Sequence, residues 1–182
     1  MLQKRPWSLY VLLSLLLFQG VSGLGGGIVL MIKPDGSLIH MPVSILHGSV
    51  FSNFLIPGVI LFLVLGVYPV FTFSIMLAKP KWKFLQQLNI YQDRFVGWSF
   101  SLFIGLGLII WMQVESMVIG YGAFIQAMYS IVGLLILVFT LMPGVMKYFE
   151  TSNYFAESIS RREKANAKLT VSINPQHGHI FI

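Results

Sequence analysis

Glu115 is a single carboxylate inside an apolar and otherwise uncharged stretch, residues 109–122, that reads IIWMQVESMVIGYG. A carboxylate in such a setting can move a proton, pair with a cation or simply reach water, and its depth helps to separate these roles. At roughly 1.5 Å per residue it lies about 7 Å below the helix end. A carboxylate at the bilayer midplane is costly and functional by default, whereas one this near the interface can reach headgroups or water at modest cost. Folding the chain about Tyr121 sets Ser116 level with Gln126, and Gln113 level with Tyr129. Gln113, Glu115, Gln126 and Tyr129 are therefore the candidate polar cluster. Gln113 and Glu115 stand about 80° to opposite sides of one helix stripe, so they cannot meet the same neighbour.

The partners that would turn Glu115 into an acid or base are few. His40 and His47 lie between the first two apolar runs, and His177 and His179 near the C-terminus. Paired with His40 or His47, Glu115 would suit a lipid-modifying enzyme, provided both groups reach one substrate atom. Without a histidine, it suits an outward-facing pocket of a small-ligand transporter or binder. No carboxylate or thiolate accompanies the histidines at ligand spacing, so neither a metal nor another cofactor is expected. The absence of cysteine excludes disulfide frameworks, iron–sulfur clusters and the disulfide chemistry of four-span quinone-linked enzymes. No Walker loop, nucleophile elbow or His-Glu-x-x-His pattern is present. The glycine-rich stretch at residues 23–27 lacks the strand, lysine and helix order of a phosphate loop and reads as packing. Since the polar residues suffice for helix packing and little else, the leading expectation is a non-enzymatic accessory or partner-binding component.

The elements that position these residues follow from composition. Of 182 residues 56% are hydrophobic and 10% charged, against about 25% charged in soluble domains. Such a chain belongs in a lipid bilayer. Four runs reach the roughly 20 residues needed to cross it as helices, near residues 7–32, 54–77, 95–119 and 122–148. The fold class expected is all-α: a four-helix transmembrane bundle with a small extracytoplasmic cap at residues 33–53. Asn53 and Asp93 are candidate N-caps. Pro57 falls in a first turn, Pro69 should kink the second helix, and Lys79-Pro80 should end it.

Every basic residue except Lys33 falls on one side of this topology: Lys4 and Arg5, then Lys79, Lys81, Lys83 and Arg94, then Lys147, Arg161, Arg162, Lys164 and Lys168. That asymmetry is the positive-inside signal and places both termini in the cytoplasm. The net charge of +6 thus reads as topology, and no nucleic-acid partner is expected. The four tryptophans fall mostly near span ends, as interfacial belt residues do. The first run also has a signal peptide's basic start and apolar core, but it continues uncharged to Lys33, which favours a retained helix whose glycines weaken its outer end. Pro34-Asp35-Gly36 has the chemistry of a tight turn, either closing a small hairpin or ending the helix. The tail, residues 149–182, carries Arg161, Arg162, Lys164 and Lys168, which would attract anionic headgroups.

Helices associate in lipid through small side chains that let backbones approach. Gly97, Ser101 and Gly105 repeat every fourth residue on the third run, and Gly122, Gln126, Tyr129, Gly133, Thr140 and Gly144 share one face of the fourth. These stripes should face each other or other helices, and a stripe left free would support a homo-oligomer or a membrane-protein partner.

Residues 25–66, with WMQVESMVIG and IQAMYSIVGLLIL further on, carry a pattern of their own: Gly26 and Gly27 before an apolar stretch, Pro34 and Gly36 in the turn, Met41-Pro42, then Phe54, Pro57 and Gly58 opening the second run. In this pattern the chain resembles a group of small uncharacterised bacterial four-span integral membrane proteins, over most of residues 5–148. The resemblance implies the four-span fold and a place in the bacterial cytoplasmic (inner) membrane. It implies no activity.

Overall fold

Hydrocarbon offers no hydrogen bonds to backbone groups, so apolar runs of this length must close their N–H and C=O groups internally. They do so as helices in the computed structural model, which describes residues 4–80, 82–87, 89–91, 93–120 and 124–150. Tyr121, Gly122 and the tail bearing Arg161, Arg162, Lys164 and Lys168 lie outside the described residues. The fold is all-α: α1 (Trp7–Ile32), α2 (Leu55–Phe62), a π-helical turn (Leu63–Val67), α3 (Tyr68–Ala78), a short α4 (Lys83–Gln87), α5 (Val96–Ile119), α6 (Phe124–Leu141) and α7 (Pro143–Tyr148). The segment α2–π turn–α3 runs as one span, so four helices are long and apolar enough to cross a membrane.

Burial supports the same conclusion. Only 28–33% of each span's apolar window is buried, and the outward faces carry Val21, Ile110, Phe124 and Ile131. Faces this apolar on both sides fit lipid and not water, so the chain is a multi-pass membrane protein. The spans form a closed ring: α1 packs on α2–α3 and on α6, while α5 packs on α6 and on α3. Leu9, Leu12, Leu16, Leu65, Met76, Ile104, Leu108 and Ile136 fill its centre.

Glycine decides how closely the first two spans approach. A Cβ on Gly23 would collide with the Leu65 carbonyl, and one on Gly27 would lie 2.7 Å from Phe62 Cβ. This contact explains why α1 stays helical through its five-residue glycine-rich stretch to Ile32, where local propensity alone suggests fraying. Across the ring, an added Cβ on Gly105 would stand 3.0 Å from the Gly133 carbonyl, whereas Gly97 faces Met76 of α3. Ser101 accepts a hydrogen bond from the Thr140 hydroxyl at 3.1 Å. Gly105, Gly133 and Ser101 are thus occupied by contacts within the chain.

The proline and cap expectations divide. Asn53 Oδ1 accepts the Leu55 N–H at 3.0 Å from one residue ahead of the cap position itself, which Phe54 occupies without a side-chain cap bond. Asp93 does not cap α5: its carboxylate lies 3.4 Å from Arg94 Nε, and the Phe95 N–H goes instead to the Phe149 carbonyl at 2.8 Å. The fourth run does not extend unbroken to 148, because Pro143 has no N–H to donate and its ring holds Met142 extended at ψ 133°. Phe149, placed with the tail by composition, is 1% exposed and stacks on Phe95. Two tryptophans also leave the belt: Trp98 is buried with its Nε1 donating to the Thr140 carbonyl at 2.8 Å, and Trp111 turns inward.

Candidate functional site

Pro69 sets up the site from within the second span. Its ring nitrogen has no hydrogen to offer the Leu65 carbonyl four residues earlier, and the helix passes this point through the π turn Leu63–Val67. Gly23, one turn beyond Gln19 on α1, brings the α1 backbone against Leu65. Gln19 then donates its Nε2 to the Leu65 carbonyl at 3.3 Å. The amide is thereby oriented, and its other end, Oε1, has no hydrogen-bond partner although Gln19 is only 1% exposed.

Gln19 lines a cavity of about 310 Å³ bounded by α1, α2, α5, α6 and the segment joining α1 to α2. That segment forms the cap. It leaves α1 through a turn in which Asp35 Oδ1 accepts the Ser37 N–H and hydroxyl at 3.1 and 2.8 Å, with Gly36 at φ 74°. The turn ends the helix and no hairpin forms, since Ser37–Ile39 and Val43–Leu46 are single 3₁₀ turns. The cap sends Ile39, Met41, Leu46, Phe51 and Phe54 into the cavity wall. Asp35 itself is outside the cavity, and its carboxyl is held below the ordinary carboxylate value, first by the Ser37 N–H and then by the Ser37 hydroxyl.

Glu115 is in the wall of this cavity, partly buried, together with Trp111, Tyr129 and Ser22. Trp111 precedes Glu115 by one helical turn, on the same face. Its indole N–H interacts with the carboxyl without reaching the geometry of a full hydrogen bond. No basic side chain pairs with Glu115 among the described residues. The remaining lining is apolar, including Leu61, Leu65, Leu108 and Met112. Exposed Val114 and Ile125 also border it, so the cavity opens on the α5–α6 side.

The candidate cluster is therefore split. Glu115 and Tyr129 face the cavity, Gln113 is exposed on the other side of α5, and Gln126 is buried outside the lining with Nε2 donating to the Gly120 carbonyl at 3.2 Å. Ser116 is tied to the Met112 carbonyl at 2.7 Å. His40 and His47 are exposed, and neither borders the cavity. No group of acidic and histidine residues suited to a metal occurs among the described residues. Gln19 was not among the sequence candidates. The available signal was a lone amide in an apolar helix, but its meaning depends on Pro69, fifty residues away. No protein-family model, curated protein or solved structure matches the chain, so the cavity is read from its own residues.

Proposed function

We propose that the chain is a small-ligand binding or transport component of the bacterial cytoplasmic membrane, with both termini cytoplasmic and the cap on the outer side. The observation that carries this reading is Glu115 in the wall of a largely apolar cavity under the cap, and not turned to the lipid headgroups. A largely apolar cavity with a few convergent polar groups is the usual form of a small-molecule site. The distribution of basic residues and the resemblance to bacterial four-span proteins support the location and orientation. The enzyme reading is weaker, since neither cap histidine approaches Glu115's cavity. An accessory role gains no comparable support, because the small-residue contacts of Gly105 and Gly133 are made within the chain.

Native mass spectrometry of the full chain released from detergent tests this. A small-molecule adduct should accompany the wild type and be lost in Ser22→Phe, which fills the cavity from α1. If wild type and Ser22→Phe give identical adduct-free spectra, and extracted lipid adds none, the binding function is refuted.

A further inference from the structure

The geometry points to a ligand of one chemical class: a compact apolar amine, its cationic head at the Glu115 carboxylate and its apolar body under the cap. This rests on the cavity being a binding site at all. Three observations select the class. First, Glu115 lines the cavity and has no cation among the described residues. Second, a carboxylate set against apolar walls calls for an opposite charge, and an ammonium supplies both the charge and several donors. Third, Trp111, Tyr129, Phe51 and Phe54 add aromatic surface to the same wall, which favours a cation over a neutral head of equal size. Gln19 Oε1 and Trp111 Nε1 lack partners but are closed off from the cavity space, so neither sets the head of the ligand.

Size narrows the body. At about 310 Å³ the cavity is near the lower limit for small-molecule sites, roughly 300–1,000 Å³. A single compact hydrocarbon body fits, whereas a two-chain phospholipid would have to leave most of its bulk outside.

Three ligands with the same body and different heads test the inference: adamantylamine, adamantanol and adamantane carboxylate, titrated against the full chain in maltoside micelles with thermal unfolding as readout. The amine should bind about tenfold more tightly than the alcohol, and the carboxylate least. Glu115→Gln, which keeps the side chain's shape, should bring the amine to the alcohol's affinity and leave the alcohol unchanged. If amine and alcohol bind equally in wild type and in Glu115→Gln, or the carboxylate binds best, the amine assignment is overturned while the cavity remains a ligand site. If none of the three shifts the unfolding temperature of a monodisperse wild-type protein, the assignment and the binding function fall together.

Discussion

At the end of the bundle that carries Arg94, Asn89 is 4% exposed and each of its polar atoms is engaged. Its Nδ2 donates to the Tyr91 and Arg94 carbonyls at 2.7 and 2.6 Å, and its Oδ1 accepts the Ser99 hydroxyl at 2.6 Å and the Tyr91 N–H at 3.3 Å. Arg94 donates to the Met146 carbonyl at 2.9 Å and lies 4.9 Å from the Trp98 ring, while Lys79 Nζ sits 3.7 Å over the Tyr148 ring. Half-way along α1, Gln19 is as deeply buried but uses only half of its amide, and Trp111 Nε1 completes no hydrogen bond. Buried polar groups are normally all satisfied, because each unmet donor or acceptor costs about 1–3 kcal/mol. The contrast teaches that one end is a closed clasp holding the bundle together, whereas the middle of the bundle, next to the cavity, leaves hydrogen-bonding capacity unused.

Breaking the clasp should have the largest effect. Asn89→Ala removes the donors of two carbonyls and the acceptor of the Ser99 hydroxyl, so a loss of roughly 2–4 kcal/mol is expected, visible as a lower midpoint in thermal or denaturant unfolding. A midpoint unchanged from wild type would mean that the clasp is not a stabilising unit.

The middle of the bundle should respond less, and in a way that depends on Pro69. Gln19→Leu leaves the Leu65 carbonyl without its side-chain donor and should cost about 1–3 kcal/mol. Pro69→Ala restores a backbone N–H four residues from that carbonyl, so Gln19→Leu in the Pro69→Ala background should cost at least about 1 kcal/mol less. Strict additivity in this double-mutant cycle would break the link between the proline and the glutamine.

The smallest effect belongs to the cap's turn. The folded carboxyl of Asp35 is held below its ordinary value by Ser37. Its contribution is therefore present above the unfolded value, about pH 4, and is lost as pH falls through the lower folded value. Amide exchange at Ser37 and Met41 should accelerate on acidification in wild type. In Asp35→Asn, which keeps the turn acceptor without the charge, it should lose that pH dependence.

The fold class was legible because each apolar run is long, nearly free of charge and bounded by turn or cap residues, a pattern that in lipid admits only helices. Asn53 and the Pro34-Asp35-Gly36 turn were legible for a similar reason: both act within two or three residues. Asp93 misled because the start of α5 is governed by Phe149, which meets Phe95 only after folding. Pro143 was passed over because the hydropathy of its surroundings conceals the broken helix. At the site, Glu115 and Tyr129 stood out as polar residues at one depth. Gln113 and Gln126 shared that depth but not that face, and depth alone cannot tell which neighbour a helix face will meet.

Amino-acid order alone thus determined that this chain forms four apolar helices, because the cost of unpaired backbone groups in hydrocarbon is paid locally, turn by turn. Only the tertiary structure decided that α1 lies against the π turn of the second span. Steric contact between Gly23 and Leu65 enforces that approach, and with it come the fixed amide of Gln19 and the cavity it shares with Glu115. Such a contact joins residues over forty positions apart, and it exists only once the helices have chosen their neighbours.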